Sequence, residues 1–254
     1  MTDLFSVNGK VALVTGSTSG LGYAFAKCLA QNGANVIING RNEQKLEEAL
    51  QGLSSEGLSV AGFVFDVTKT EEISDAAQAI TSEFGPLDIL VNNAGINLRG
   101  PLHEFDDDDW DKVIGINLTG TYKVTKAFVS DMIARKSGKI INIGSMQSEL
   151  GRPTIAPYAA SKGGVKMLTR GMAADWAKYN IQINGIGPGY FKTDLTKPLY
   201  ENPEFDAWLC SRTPSNRWGN TDELLGALLF LSSDASSYVN GQMIYVDGGL
   251  LATV

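Results

Sequence analysis

The chain has 254 residues, of which 43% are hydrophobic, and its formal net charge is -7. No linker, internal repeat or low-complexity block divides it, so we predict a single domain over residues 1–254. The acidic balance, without any cluster of Lys and Arg, argues against nucleic-acid binding and favours a small soluble substrate.

The two cysteines, Cys28 and Cys210, are far apart and match no metal-ligand spacing. The amino terminus lacks a basic segment followed by a long apolar run, and no apolar stretch approaches the ~20 residues that cross a bilayer. We therefore expect a cytoplasmic protein with no metal site and no membrane partner.

Short apolar runs alternate with longer amphipathic segments along the chain. This alternation predicts the α/β class, as a Rossmann fold with a doubly wound parallel seven-stranded sheet and helices on both faces. The predicted strands are 11–14, 35–38, 60–65, 89–91, 139–143, 181–186 and 243–246. The predicted helices are 43–53, 71–84, 110–135, 158–179 and 222–231, with a further helix after a glycine-rich turn.

Two segments depart from this alternation of strands and helices. Four consecutive aspartates, Asp106 to Asp109, precede a long predicted helix, and we interpret them as its cap rather than as a metal cluster. Residues 189–218 contain three prolines and several aromatic residues, which predicts an insertion over the substrate. Its Trp208 and Trp218 either close over a ligand or pack locally.

The glycine-rich turn, Thr15 to Gly22, follows the first strand and opens a helix. Free N–H groups at a helix N-terminus can bind a pyrophosphate, so this position predicts dinucleotide binding even though the glycine spacing differs from G-x-G-x-x-G. The cofactor residues predicted in the turn are Gly16, Ser17, Ser19, Gly20, Leu21 and Gly22.

The second strand ends in Asn39-Gly40-Arg41-Asn42, which offers no carboxylate for a ribose 2′-hydroxyl. Arg41 can pair with a 2′-phosphate, so we predict a preference for NADP(H) over NAD(H). The alternative is a solvated arginine at the start of a helix. Asp66, at the end of the third strand, either contacts the adenine or caps the next helix.

Tyr158 and Lys162 lie one helical turn apart, downstream of Ser145. A phenol with a pKa near ~10 exchanges protons poorly at neutral pH, but an ammonium at i+4 favours the phenolate. A serine hydroxyl nearby can hold a carbonyl or alcohol oxygen. With a dinucleotide site, this set predicts an oxidoreductase that transfers hydride.

These motifs, together with Asn92-Asn93-Ala94-Gly95, Asn117 and Pro188-Gly189, resemble the short-chain dehydrogenase/reductase family over nearly the whole chain. The resemblance implies that Tyr158 is the acid/base, that Lys162 lowers its pKa and contacts the nicotinamide ribose, and that Ser145 orients the substrate. It also implies a homotetramer and a water held by Asn117 in a proton relay. The further cofactor residues that it implies are Asp66, Val67, Asn93, Ala94, Gly95, Pro188, Gly189 and Thr193.

Longer stretches, such as 145–152, 167–172, 188–193 and 217–219, resemble the gluconate 5-dehydrogenases within that family. This likeness implies NADP-dependent interconversion of D-gluconate and 5-keto-D-gluconate. The implied substrate residues are Arg99, Ser145, Gln147, Arg152, Tyr158 and Tyr190, unless Glu149 and Arg152 only brace their loop.

One departure stands out within this likeness. Those enzymes tend to carry Gln-Arg-Arg where this chain has Asn97-Leu98-Arg99, so one cation is absent. The alternatives are therefore another sugar-acid or polyol dehydrogenase, a 3-oxoacyl reductase, or a dinucleotide-binding protein without turnover.

Overall fold

The computed structural model describes residues 4–193 and 196–253. Seven parallel strands form one sheet in the order β3-β2-β1-β4-β5-β6-β7, so the strand order reverses between β1 and β4. The predicted doubly wound sheet is confirmed. The strands are β1 (Val11–Val14), β2 (Asn35–Gly40), β3 (Val60–Val64), β4 (Ile89–Asn92), β5 (Gly138–Ile143), β6 (Ile181–Pro188) and β7 (Met243–Val246).

Helices cover both faces of this sheet. None of those in the described ranges is long and apolar enough to cross a membrane. The α-helices are α1 (Gly20–Gln31), α2 (Glu43–Ser55), α3 (Thr70–Phe84), α4 (Asp107–Ile114), α5 (Gly120–Arg135), α6 (Ala156–Trp176), α7 (Lys197–Tyr200), α8 (Pro203–Arg212) and α9 (Leu225–Ser232).

Alternate residues of each central strand enter two separate apolar cores, because successive side chains of a strand point to opposite faces. Val14 and Ile38 belong to the core under α1, α2 and α9. Leu13, Ile37 and Leu90 belong to the core under α3, α5 and α6. Burial on both faces explains why these strands read as continuous hydrophobic runs in the sequence.

The helix predicted over 110–135 is wrong as a single element. It begins three residues earlier because Asp106 accepts hydrogen bonds from the backbone N–H groups of Asp108 and Asp109, which confirms the predicted cap. A π-helical turn, Gly115–Thr119, then separates α4 from α5. Such turns insert one extra residue into a helix and often occur at functional sites.

The segment predicted as an insertion carries α7 and α8 and packs on the rest of the domain through a third apolar cluster. Trp218 is only 4% exposed in this cluster, and its Nε1 donates a hydrogen bond to Asp206 Oδ1 at 2.7 Å. Trp218 therefore packs locally, whereas Trp208 is exposed. The cluster also includes Met146, which directly follows Ser145, so the insertion is anchored beside the predicted catalytic serine.

Candidate active site

A cleft of about 460 Å³ opens at the carboxyl ends of the strands, where the strand order reverses. Ligands of open α/β sheets bind at this kind of crevice. Most of the predicted cofactor and catalytic residues line it. They are Gly16, Ser19, Gly20, Leu21, Gly22, Arg41, Asp66, Val67, Asn93, Ala94, Gly95, Ser145, Tyr158, Lys162, Pro188, Gly189 and Thr193.

The glycine-rich turn is held by the loop that follows β4. Asn93 Nδ2 donates to the carbonyl oxygens of Thr15 and Gly16, both at 3.0 Å, and Thr15 Oγ1 accepts from the N–H of Asn93 at 3.0 Å. A Cβ on Gly22 would lie 2.4 Å from Asn93 Nδ2 and 2.4 Å from the Gly16 oxygen. Only glycine therefore fits at position 22 without displacing this turn.

The first turn of α1 suits an anionic ligand. Ser19 is its N-cap residue, and within the described ranges the Ser19 side chain makes no capping hydrogen bond and the first turn contains no acidic residue. The free N–H groups of this turn can therefore bind a pyrophosphate, with the helix dipole favouring the negative charge. The residues present fit a dinucleotide.

Ser17 lies behind the cleft, contrary to its prediction as a cofactor contact. Its fully buried hydroxyl donates to the Val14 oxygen at 2.7 Å and accepts from the Asn39 N–H at 2.9 Å. The hydroxyl thus satisfies backbone groups between two strands, and Thr18 lines the cleft instead. The pattern of small residues in the turn could not show which hydroxyl faces inward.

The end of β2 shapes the wall beside Arg41. Asn39 is buried, and its side chain is fully used, since it donates to the Phe63 and Phe65 oxygens and accepts from the Gly16 N–H. A Cβ on Gly40 would lie 2.5 Å from Thr18 Cγ2, so no carboxylate fits there unless Thr18 moves.

Arg41 itself is exposed on the cleft wall. It makes no hydrogen bond or ion pair with any residue in the described part of the chain. The helix that follows is capped by Asn42, so Arg41 is not needed as its cap.

Asp66 also reaches the cleft, but its Oδ1 already accepts from Thr68 N and Thr68 Oγ1, both at 2.8 Å. The N-cap of α3 is Lys69, not Asp66. Asp66 therefore holds the turn that precedes α3 rather than capping the helix.

Tyr158 and Lys162 meet Ser145 on the opposite wall. The Lys162 Nζ lies 5.7 Å from the centroid of the Tyr158 ring and donates to the Ile143 oxygen at 2.7 Å. Burial lowers the pKa of Lys162 to about 8. Burial also raises the pKa of Tyr158, and a hydrogen bond with Ser145 only partly opposes that rise. In the protein alone, the phenol is therefore not activated in the way that the i+4 spacing predicts.

Asn117 lies behind the cleft in the π-helical turn. It is buried, and its Nδ2 donates to Ile96 O and Ser161 Oγ, while its Oδ1 accepts from Ile96 N. A Cβ on Gly95 would lie 3.3 Å from Asn117 Oδ1 and 3.6 Å from Lys162 Nζ. Asn117 thus fixes the backbone next to Lys162, and both of its amide hydrogens are already used.

The predicted substrate arginines are not among the residues that line the large cleft. Arg152 donates to Tyr190 Oη at 2.9 Å, and its guanidinium stacks 5.3 Å from the centroid of Phe205. Burial and the nearby charge of Arg152 lower the pKa of Arg99. Neither arginine forms an ion pair with any carboxylate in the described ranges. Two close cations without a counter-ion make this region attractive to an anion.

Glu149 fits the bracing alternative, because its carboxylate contacts Lys166 and accepts from Tyr245 Oη at 2.6 Å. Gln147 is buried beside Ser145, and Tyr190 lines a smaller cavity of about 70 Å³.

The large cleft also contains residues that sequence reasoning missed: Thr18, Ile96, Ile116, Ile143, Gly144, Phe191 and Thr196. Ile143 ends β5 and Gly144 follows it directly, so a position at the carboxyl end of a strand is the signal that could have identified these two.

The sequence pattern of short chain dehydrogenases matches residues 10–204 of this chain. The chain belongs to that family. It is therefore an oxidoreductase that acts on CH–OH groups.

Three similar proteins share about half of its sequence over its full length. The 5-keto-D-gluconate 5-reductase of Escherichia coli K12 is 52% identical and covers 100% of both chains. The 2-dehydro-3-deoxy-D-gluconate 5-dehydrogenase of Formosa agariphila is 51% identical, over 99% of this chain and 96% of its own. A gluconate 5-dehydrogenase from Burkholderia cenocepacia J2315, solved in complex with NADP and tartrate, is 51% identical, with a TM-score of 0.96 over 99% of each chain.

Proposed function

We propose that this enzyme interconverts D-gluconate and 5-keto-D-gluconate and uses NADP(H). The observation that carries the proposal is the pair of neighbouring arginines without a carboxylate partner among the described residues, Arg99 and Arg152, in a protein whose Ser145, Tyr158 and Lys162 line the dinucleotide cleft. Full-length similarity to enzymes named for 5-keto-D-gluconate and gluconate supports it. So does the relative solved with tartrate, which is also a hydroxylated acid.

When bound in the cleft, the nicotinamide supplies the hydride for reduction or accepts it in oxidation. In reduction, the Ser145 hydroxyl donates a hydrogen bond to the substrate carbonyl oxygen, and Tyr158 gives that oxygen its proton. In oxidation, Tyr158 takes the proton back. The Lys162 ammonium, with a pKa of about 8, is charged at neutral pH and stabilises the phenolate that reduction leaves behind.

The substrate carboxylate binds between Arg99 and Arg152. A guanidinium pairs with a carboxylate through two parallel hydrogen bonds, and an anion placed there relieves the repulsion between the two cations. Arg152 is already oriented by Tyr190 and Phe205, so little side-chain freedom is lost on binding.

A substrate comparison tests this assignment. We expect NADPH oxidation to be faster with 5-keto-D-gluconate than with its uncharged keto-sugar counterpart or with a 3-oxoacyl thioester. Arg99→Ala and Arg152→Ala should each reduce the advantage of the charged substrate, whereas Arg170→Ala, a charge-matched change on α6, should not. If the uncharged sugar or the thioester is the better substrate for the wild type, the gluconate assignment is wrong.

The cofactor preference rests on Arg41, which would hold the 2′-phosphate beside Thr18 and Gly40. Arg41→Ala should weaken NADPH binding by roughly 1 to 3 kcal/mol and leave NADH binding nearly unchanged, because only NADPH loses a charge-assisted pair. Lys45→Ala, an exposed charge on α2, is the matched control. Fluorescence titration measures the affinity of each variant for NADPH and NADH. If Arg41→Ala loses equal affinity for both cofactors, the predicted preference for NADP(H) is wrong.

We further propose a homotetramer. Large apolar side chains are exposed on two neighbouring helices, namely Tyr122 of α5 (45%) and Met167 of α6 (59%). Such side chains are typical of surfaces that another copy covers. Sedimentation equilibrium should return the mass of four chains, and Met167→Glu should lower that mass.

A further inference from the structure

Two carboxamides, one next to Ser145 and one on the loop that precedes Arg99, have no hydrogen-bond partner among the described residues. Gln147 is only 7% exposed, and its side chain forms no hydrogen bond within the described ranges. The Oδ1 of Asn97 is likewise buried and without a partner there. Buried polar atoms in folded proteins are nearly always paired, so an unpaired carboxamide at a binding site is free to pair with a bound ligand.

Gln147 belongs to the same short turn as the catalytic hydroxyl. The 3-10 turn Met146–Ser148 follows Ser145 directly, and the Gln147 N–H donates to Ser145 Oγ at 3.1 Å. Gln147 is therefore the carboxamide that the backbone fixes next to Ser145.

Asn97 lies on the loop between the catalytic lysine and the two arginines. It comes two residues after Gly95, which approaches Lys162 Nζ, and two residues before Arg99. The N–H of Gly100 donates to the Thr154 oxygen at 3.0 Å, which joins this loop to the one that carries Arg152. Asn97 thus joins Gly95, which lines the cleft, to Arg99.

We propose that Gln147 binds the hydroxyl on the carbon next to the reacting one, and that Asn97 binds a hydroxyl in the middle of the chain. A carboxamide both donates and accepts, so it matches a hydroxyl well. This assignment rests on the proposed function and adds a selectivity to it. The enzyme prefers a fully hydroxylated sugar acid to an analogue that lacks the mid-chain hydroxyl, because an unpaired Asn97 would then remain buried.

The distinction matters because relatives of nearly equal similarity are named for gluconate and for a 2-dehydro-3-deoxy acid. Overall similarity therefore cannot separate the two substrates for this chain. The two acids share the C4 hydroxyl next to the reacting C5 but differ at C2 and C3. Gln147 should consequently affect both substrates, whereas Asn97 should affect only D-gluconate.

The test measures kcat/KM for NADP-dependent oxidation of D-gluconate and of 2-dehydro-3-deoxy-D-gluconate. We expect the wild type to prefer D-gluconate by about 10-fold or more, and Asn97→Leu to lose about 10- to 100-fold on D-gluconate alone. Gln147→Met should lose about the same factor, roughly 10-fold, on both acids. Asn97→Ser serves as a second variant in case Asn97→Leu folds poorly, and Gln31→Met, on the exposed end of α1, is the control.

Three outcomes overturn the inference: equal use of both acids by the wild type, an equal loss on both in Asn97→Leu and Asn97→Ser, or no loss in Gln147→Met. In each of these cases the proposed function still stands. If the wild type oxidises neither acid, or prefers the deoxy acid, the proposed function fails as well. Thermal melting of every variant separates a loss of folding from a loss of recognition.

Discussion

The two halves of the active site are built differently. In the cofactor half, the side chains of Thr15, Asn39 and Asn93 hold the glycine-rich turn through hydrogen bonds within the chain, so the frame of this half is complete, while Arg41 and the first N–H groups of α1 face the cleft. In the substrate half, Arg99 has no counter-ion and Gln147 no hydrogen-bond partner among the described residues. The cofactor half is therefore prepared in advance, whereas the substrate half is completed by what binds there.

The backbone shows the same contrast. The cofactor half uses glycine where φ is positive, as at Gly16 (φ 60) and Gly20 (φ 57). In the substrate half, Thr154 has a φ of 70, a conformation that is costly for a β-branched residue. Its carbonyl holds the loop of Asn97 and Arg99 through Gly100. Strain is thus concentrated where the two substrate loops meet.

Tyr158 lies on the border between the halves, and its loss should have the largest effect. Tyr158→Phe removes the hydroxyl that we propose as the proton carrier but keeps the ring, so kcat should fall by about 10² to 10⁴. NADPH affinity, measured by fluorescence titration, should stay within a factor of two or so of the wild type. Near-normal turnover would remove Tyr158 from the mechanism.

Gly22→Ala should disturb the glycine-rich turn of the cofactor half and leave the substrate half unchanged. The new methyl would meet Asn93 and the Gly16 carbonyl, so we expect a loss of about 1 to 3 kcal/mol in the free energy of unfolding, together with weaker NADPH binding. The control is Gly171→Ala in α6, where a Cβ has open space, and which should gain about 0.5 to 1 kcal/mol. Urea titrations measure both free energies of unfolding. If both variants are more stable than the wild type, or both are less stable, this account is wrong.

Lys162 lies between the two halves. Its burial lowers the free energy of unfolding by an amount that depends on pH. Burial lowers its pKa to about 8 in the folded protein. In the unfolded chain this pKa returns to about 10.4, so the unfolded state binds more protons between these values. The cost is therefore full below pH 8 and disappears as the pH rises towards the unfolded value.

Replacing Lys162 with methionine should remove this cost, so its effect on stability should depend on pH in the same way. We expect an inactive protein that gains about 1 to 3 kcal/mol in the free energy of unfolding at pH 7. The gain should shrink steadily up to pH 10. Chemical denaturation at a series of pH values measures it, and a gain that is constant with pH would show that the ammonium is not the source.

The smallest effect is expected at Thr154 in the substrate half. Asparagine tolerates the left-handed conformation better, so Thr154→Asn should gain roughly 0.5 to 1 kcal/mol while keeping the carbonyl bond to Gly100. Lys136, with a φ of 54 and no β-branch, should gain less from the same change. Melting curves of the two variants compare these gains, and a destabilised Thr154→Asn would mean that the threonine side chain itself is needed.

The sheet and most helices could be predicted from the sequence because their signal is local. Periodicity and helix formers repeat within each segment, and the Tyr158–Lys162 spacing carries its own geometry. The break between α4 and α5 could not be predicted, since it depends on contacts of Asn117 with Ile96 and Ser161, which are 21 and 44 residues away.

In the active site, too, features that depend on contacts between distant parts of the chain could not be predicted. Which of Ser17 and Thr18 faces the cleft depends on the neighbouring strand, and the partners of Arg152 lie in a segment that follows much later in the chain. The sequence does show that polar residues cluster around Ser145. It does not show which of them, such as Glu149, are already satisfied by other parts of the protein.

The π-helical turn also limits how this chain can change in length over evolution. α5 continues from α4 through the five residues Gly115–Thr119, and it presents Val124 and Phe128 to the core. Deleting one residue there would turn the π-helical turn into a regular α-helical one, because a π-turn holds one extra residue. Val124 and Phe128 would stay in the core, but Asn117 would lose its contacts with Ile96 and Ser161. Insertions and deletions should therefore accumulate in the surface loops of descendants of this protein, while the number of residues between α4 and α5 stays constant.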